Sequence, residues 1–236
     1  MADKFPSKGS SQGEIQAFLD QVAKTPVAFK GKSKGRLIFA MDATASRERL
    51  WDIASQIQGE MFEAVANIGG LSVQLSYYRG YNEFKYFSWT DQADDMLLSI
   101  SSVHCLAGQT QIAKVLEHAL SQTRQEPIQA LVFIGDAMEE NVNKLAELSG
   151  QLGIYKTPAF FFQEGRDPTV TRAFKHFSHL SGGAYSSFDS GSAHVLIDLL
   201  KAVAIYTVGG LQALEDKSLQ SDTVKMLTRQ LGGSKP

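Results

Sequence analysis

The chain has 236 residues, of which 43% are hydrophobic and 20% charged, an ordinary globular balance that excludes wholesale disorder. Its formal net charge of −2 gives no bulk attraction to nucleic acid or to an acidic membrane surface. Cys105 is the only cysteine, which excludes an internal disulfide framework and a cysteine-rich zinc site and fits a reducing, cytoplasmic compartment.

Met1 to Gly13 reads as a flexible polar arm without the apolar core of a secretory signal. Ile15, Phe18, Leu19 and Val22 then predict a short amphipathic helix over Glu14–Ala23, followed by a Gly- and Lys-containing connection to Gly35. The unbroken apolar run from Leu37 predicts a buried strand over Arg36–Met41 that ends in Asp42, with hydroxyls at Thr44 and Ser46. An acid and two hydroxyls at the carboxyl end of such a strand suit a hard cation, Mg²⁺, Mn²⁺ or Ca²⁺, better than zinc. The same residues also read simply as an acidic cap on the next helix.

That helix is marked by Leu50, Ile53, Ala54, Ile57, Met61, Ala64, Val65 and Ile68, and Gly69-Gly70 should end it. Leu71–Tyr78 is a second strand, and a helical crossover of this length favours parallel pairing with the first. Arg79-Gly80-Tyr81-Asn82-Glu83 is too short for a crossover, so a third strand over Phe84–Trp89 must run antiparallel at an edge. A short helix over Asp91–Ser102 is broken by Leu106-Ala107-Gly108-Gln109-Thr110, and a clear helix follows through Ile112, Val115, Leu116, Ala119 and Leu120.

Ala130–Ile134 is a second wholly apolar strand, ending in Gly135-Asp136. A helix over Asn141–Leu152, a strand over Pro158–Phe162 and a helix marked by Val170, Ala173, Phe174, Phe177 and Leu180 come next. A strand over Ala184–Phe188 and a helix over Ala193–Val208 complete the core. Asp198 and Lys201 interrupt that last apolar stretch, which is too short to span a membrane. Val224, Leu227 and Leu231 mark one further helix in the tail. The expected organisation is an arm with a short helix over 1–35, an α/β domain over 36–208 and a helical tail over 209–236.

The direction of each element can be followed along the chain. With the carboxyl end of the first strand as the top, the hairpin turns at the top and the following helix climbs back. Thr110 and Asp136 therefore arrive on the same face as Asp42, Thr44 and Ser46.

These residues resemble a von Willebrand factor type A domain with a metal-ion-dependent adhesion site, of the intracellular prokaryotic type. Asp42-Ala43-Thr44-Ala45-Ser46 is similar to the family's Asp-x-Ser-x-Ser motif, Thr110 to its threonine before a helix, and Asp136 to its aspartate after the fourth strand. Thr44 departs from the usual serine, and Gly135 precedes Asp136 where many members have the glycine after it. The resemblance implies a Rossmann-like, doubly wound, mostly parallel six-stranded sheet in the order 3-2-1-4-5-6, flanked by helices. It also implies that Asp42, Thr44, Ser46, Thr110 and Asp136 hold a Mg²⁺-class ion. Such an ion would accept an Asp or Glu carboxylate from a protein partner, giving a non-enzymatic adaptor that binds neither nucleic acid nor membrane.

Two alternatives stay open: a scaffold with a silent metal site, and a metal-dependent hydrolase using Asp42 and Asp136. Haloacid-dehalogenase-like hydrolases need a second acid two residues after the first, and Thr44 stands there. No Gly-rich phosphate cradle or glycine-flanked nucleophile elbow follows the first strand. Glu139 and Glu140 fall where the next helix begins, and its dipole accounts for them. His176 and His179 read as a surface pair, and His104 and Cys105 as packing. Arg79, Tyr81, Asn82 and Glu83 sit on a hairpin tip facing the metal side and are candidate partner contacts. The C-terminal helix of the domain shifts on ligand binding in some members of the family, and Gly209-Gly210 would permit that here.

Overall fold

A computed structural model describes residues 34–65, 70–189 and 193–218. The expected helices at Glu14–Ala23 and around Val224–Leu231, together with Ile68 and Gly69, lie outside the described residues.

Six strands form one sheet: β1 (Gly35–Asp42), β2 (Leu71–Arg79), β3 (Glu83–Tyr86), β4 (Ala130–Gly135), β5 (Ala159–Glu164) and β6 (Tyr185–Phe188). Their order is β3-β2-β1-β4-β5-β6, with β3 antiparallel to β2 and every other pair parallel. The helices are α1 (Glu48–Val65), α2 (Ala93–Ser101), α3 (Ile112–Gln125), α4 (Val142–Ile154), α5 (Pro168–Ser181) and α6 (Ala193–Ser218). Among the described residues no helix is long and apolar enough to cross a membrane.

The apolar strands are apolar because both of their faces are covered. Alternation sends Leu37, Phe39 and Met41 of β1, with Val132 and Ile134 of β4, into a core closed by α1, α2 and α6. Ile38 and Ala40, with Leu131 and Phe133, enter the opposite core, closed by α3, α4 and α5. There Phe133, Phe161, Phe174 and Phe177 form an aromatic group with ring centroids 5.2–5.8 Å apart, good edge and tilted packing distances.

Two local expectations are corrected. The helix does not start directly after Ser46, because a 3₁₀ turn at Ala45–Arg47 precedes α1. β3 is shorter than Phe84–Trp89: regular pairing stops at Tyr86 opposite Ser76 and resumes one residue out of step, at Val73 opposite Thr90. An extra residue on an edge strand is a common way of twisting that edge away from further pairing. The break expected at Gly209-Gly210 after the helix over Ala193–Val208 falls at Gly210 (φ 66°, ψ −163°), a backbone region open only to glycine, and beyond it helix resumes to Ser218.

Candidate metal centre

The top of the sheet carries the site. Asp42 is the last residue of β1 and only 1% exposed. Its Oδ1 accepts the Thr44 amide at 2.7 Å, which folds the chain sharply over the strand end. Its backbone oxygen accepts the Trp51 indole at 2.9 Å, and Trp51 packs edge-on against Tyr77, so α1 fixes the position of the loop. Beyond the turn, Thr44 Oγ1 and Ser46 Oγ lie 3.5 Å apart.

The second segment, between α2 and α3, is tied to β1 and to the hairpin tip by backbone bonds. Leu106 N donates to Ala43 O at 3.0 Å, Gly80 N to Leu106 O at 3.2 Å and Gln109 N to Gly80 O at 3.1 Å. Gly108 must be glycine here, because a Cβ would stand 1.9 Å from Gly80 O. The Gln111 amide also donates to the backbone oxygens of Arg79 and Gly80, at 3.1 and 3.2 Å.

The third segment, after β4, closes the ring. Thr110 N donates to Glu139 Oε2 at 3.0 Å, and Glu139 N donates back to Thr110 Oγ1 at 2.9 Å. Glu140 accepts Ile112 N and Ala113 N, one on each carboxylate oxygen, at 2.8 Å each. Two of the amides that any helix leaves unbonded at its start are thereby satisfied. This corrects the assignment of Glu139 and Glu140 to the helix that follows them. Asn141 caps that helix, accepting Asn143 N and Lys144 N, while both glutamates serve the start of α3.

Asp42, Thr44, Ser46, Thr110 and Asp136 line one cleft of ≈ 270 Å³, together with Glu139. The sequence reading gave Glu139 only to the dipole of the next helix and did not place it at the site. The only available signal was its place three residues after Asp136 in the same loop. Burial raises the Asp42 carboxyl above its usual range; the Thr44 hydrogen bonds oppose this, and the nearby charge of Asp136 adds to it. Tyr78, the β2 residue opposite Asp42, is fully buried. Its phenol is pushed well above the usual range by burial first, then by the charges of Asp42, Glu140 and Asp136. A buried carboxylate, Asp42, repelled by the half-buried Asp136 beside three hydroxyls is an arrangement that a cation would relieve. Every donor is oxygen, which fits Mg²⁺, Mn²⁺ or Ca²⁺. Among the described residues no group of three or more His, Cys, Asp and Glu side chains forms a metal cage. An ion in this cleft would therefore depend on the hydroxyls as much as on the acids.

A cation of the chain itself reaches two of the residues that line the cleft. Arg47 Nη2 contacts Asp136 Oδ2 at 2.9 Å, Nη1 pairs with Glu164, and Nε donates to Ser46 Oγ at 3.2 Å. No pattern in the sequence marks this pairing.

The hairpin tip lies beside the Gly108 loop, on the same face as the cleft. Of its four candidate contact residues, three are engaged internally. Arg79 pairs with Glu83 at 2.9 Å and donates to His104 O, and Asn82 O accepts Lys114 Nζ at 3.2 Å. The bonds from Arg79 and then Lys85 hold Glu83 down to about 2. Tyr81 projects outward, 77% exposed.

The solved structures most informative about this arrangement share its topology. A von Willebrand factor type A protein from Catenulispora acidiphila superposes with a TM-score of 0.62 at 12% identity, over 75% of this chain and 43% of that one. The fold is that of von Willebrand factor type A domains. The SpRpn10 VWA domain gives 0.55 at 14% identity over 71% of this chain and 94% of that one. The pilus adhesin SpaC from Lactobacillus rhamnosus GG gives 0.57 at 10% identity over 78% and 30%. The chain thus spans less than half the length of the first of these neighbours. No family model and no curated protein matches the chain by sequence. With a pilus adhesin among the neighbours, the fold by itself fixes no cellular compartment.

Proposed function

We propose that this chain is a non-enzymatic protein-binding module in which Asp42, Thr44, Ser46, Thr110 and Asp136 hold a Mg²⁺-class ion. A partner's Asp or Glu carboxylate would bind to that ion. One observation carries the reading: these five oxygen donors, from three separate segments, face a single cleft in which Asp42 is buried and repelled by Asp136. When bound, the ion supplies an open coordination position for a carboxylate oxygen.

The chain's own residues set the donor geometry. Asp42 is held by the Thr44 amide, and Thr110 by the paired bonds with Glu139. Thr44 occupies the position where a hydrolase of the kind considered above would need its second acid, so the arrangement favours holding a carboxylate over cleaving a bond. Tyr81, exposed on the neighbouring hairpin tip, is the side chain best placed to add an apolar contact with the partner. The lone Cys105 and the absence of any long apolar helix among the described residues are compatible with an adaptor working inside the cell.

Calorimetric titration with Mg²⁺ and Mn²⁺ tests the reading. Wild type should give saturable binding that Asp42→Ala abolishes, and equal heats from the two would remove the ion from the account. Capture of protein partners should then depend on the ion and be lost with EDTA. Turnover in a phosphatase and esterase screen with Mn²⁺, lost in Asp42→Asn, would replace this function with a hydrolytic one.

A further inference from the structure

Arg47 follows the ligand loop directly, and its guanidinium turns back into the site. It contacts Asp136 at 2.9 Å through Nη2, pairs with Glu164 at the end of β5 through Nη1, and reaches Ser46 Oγ at 3.2 Å through Nε. Its side chain is only 11% exposed, so water screens these pairs weakly. Two of the five proposed ion ligands are therefore already held by a positive charge belonging to the chain itself.

A guanidinium and a divalent cation on the same carboxylate repel each other, and each weakens what the other gains from it. The two carboxylates that Arg47 touches are not equivalent. Asp136 lines the cleft, whereas Glu164 lies outside its lining and would keep its charge for Arg47 when Asp136 is taken.

We infer that Arg47 is an internal competitor for the divalent cation, holding Asp136 when no ion is bound and retained by Glu164 when Asp136 turns to the ion. This rests on the metal-centre reading above and adds a residue that sets its affinity. The role is positioning and regulation, and the sign of its effect is opposite to that of a residue that merely buttresses the loop. A buttress would weaken ion binding when removed. A competitor strengthens it.

The test is Mn²⁺ titration by calorimetry on the full chain, with wild type, Arg47→Gln, Arg47→Lys, Glu164→Gln and the double variant Arg47→Gln/Glu164→Gln. Arg47→Gln should tighten Mn²⁺ binding by about tenfold, the equivalent of one moderately screened charge contact. Glu164→Gln should weaken it severalfold, because Arg47 then has only Asp136. The double variant should behave like Arg47→Gln, since Glu164 acts only through Arg47. Arg47→Lys keeps a cation and should stay near wild type, which separates loss of charge from loss of folding. Unchanged or weaker binding in Arg47→Gln, with wild type binding normally, overturns the inference and leaves the metal centre standing. A silent wild type with binding in Arg47→Gln supports the inference and overturns ion loading of the native chain. No binding in any variant overturns both.

Discussion

Helices α4 and α5 begin on their own side chains, whereas α3 begins on a carboxylate delivered from another part of the chain. Asn141 caps α4 by accepting the amides two and three residues on, at 3.0 and 3.2 Å. Asp167 does the same for α5 at 2.8 and 3.0 Å, with Pro168 opening that helix and Gly182 closing it. The side chain of the residue before α3, Gln111, makes no cap hydrogen bond, and Glu140, 28 positions beyond Ile112, replaces it. The difference has a functional consequence. A local cap stabilises one helix, but the Glu140 cap also locks the Thr110 segment to the Asp136 segment, and those are two walls of the proposed ion site.

Breaking the long-range cap should have the largest effect. Glu140→Ala leaves two helix-start amides without their charged acceptor and should cost about 3 kcal/mol in denaturant unfolding. It should also weaken any ion binding, because Thr110 loses its alignment with Asp136. The local caps provide the contrast: Asn141→Ala or Asp167→Ala should cost about 1 kcal/mol each and leave the ion site unchanged. If Glu140→Ala costs no more than these, the long-range cap has no special weight.

Halfway along α3, a second long-range polar contact responds to pH. His118 on α3 meets Gln74 Oε1 on β2 at 2.8 Å and stacks on Tyr86 with a 4.3 Å centroid separation. Burial lowers its pKa to about 4, whereas the unfolded chain titrates near the ordinary value of 6.5. The folded state therefore binds fewer protons than the unfolded state between these values. Its stability is complete above about pH 6.5 and falls as the pH drops towards 4, by roughly 2 kcal/mol from this group. Urea midpoints measured across that range should show the loss, and His118→Gln should flatten it.

A smaller change has the opposite sign. Asp42 is an acid with a raised folded pKa, so its ionisation at neutral pH works against the fold. Asp42→Asn keeps an oxygen for the Thr44 amide and removes the charge. It should raise the stability of the ion-free chain at pH 7 by about 1 kcal/mol while eliminating stabilisation by added Mg²⁺. Thermal melts with and without Mg²⁺ separate the two effects. The smallest change in stability belongs to Tyr81→Ala at the exposed hairpin tip, within about 0.5 kcal/mol of wild type. Its expected effect lies in reduced capture of the protein partner.

The amino-acid sequence by itself determined the layered plan. The apolar runs at 37–41, 130–134 and 159–162 had to be strands covered on both faces, and the helical stripes between them had to be their covers. The short link at 79–83 required an antiparallel edge, and element direction alone brought Asp42, Thr44, Ser46, Thr110 and Asp136 to one end of the sheet. Burial and connection length are written locally, residue by residue, and so could be read without coordinates. The resemblance to a known family supplied the strand order, which the pairing confirmed.

Only the tertiary structure decided which charges meet. Glu140 could have served the helix beside it, and Arg47 could have faced solvent. The packing of α3 against the β4–α4 loop gave the first to α3, and the approach of β1, β4 and β5 at the top of the sheet gave the second to Asp136 and Glu164. A hydrophobic face needs only a period to be recognised, but a charged side chain chooses its partner across space, by distance and burial that no local pattern records.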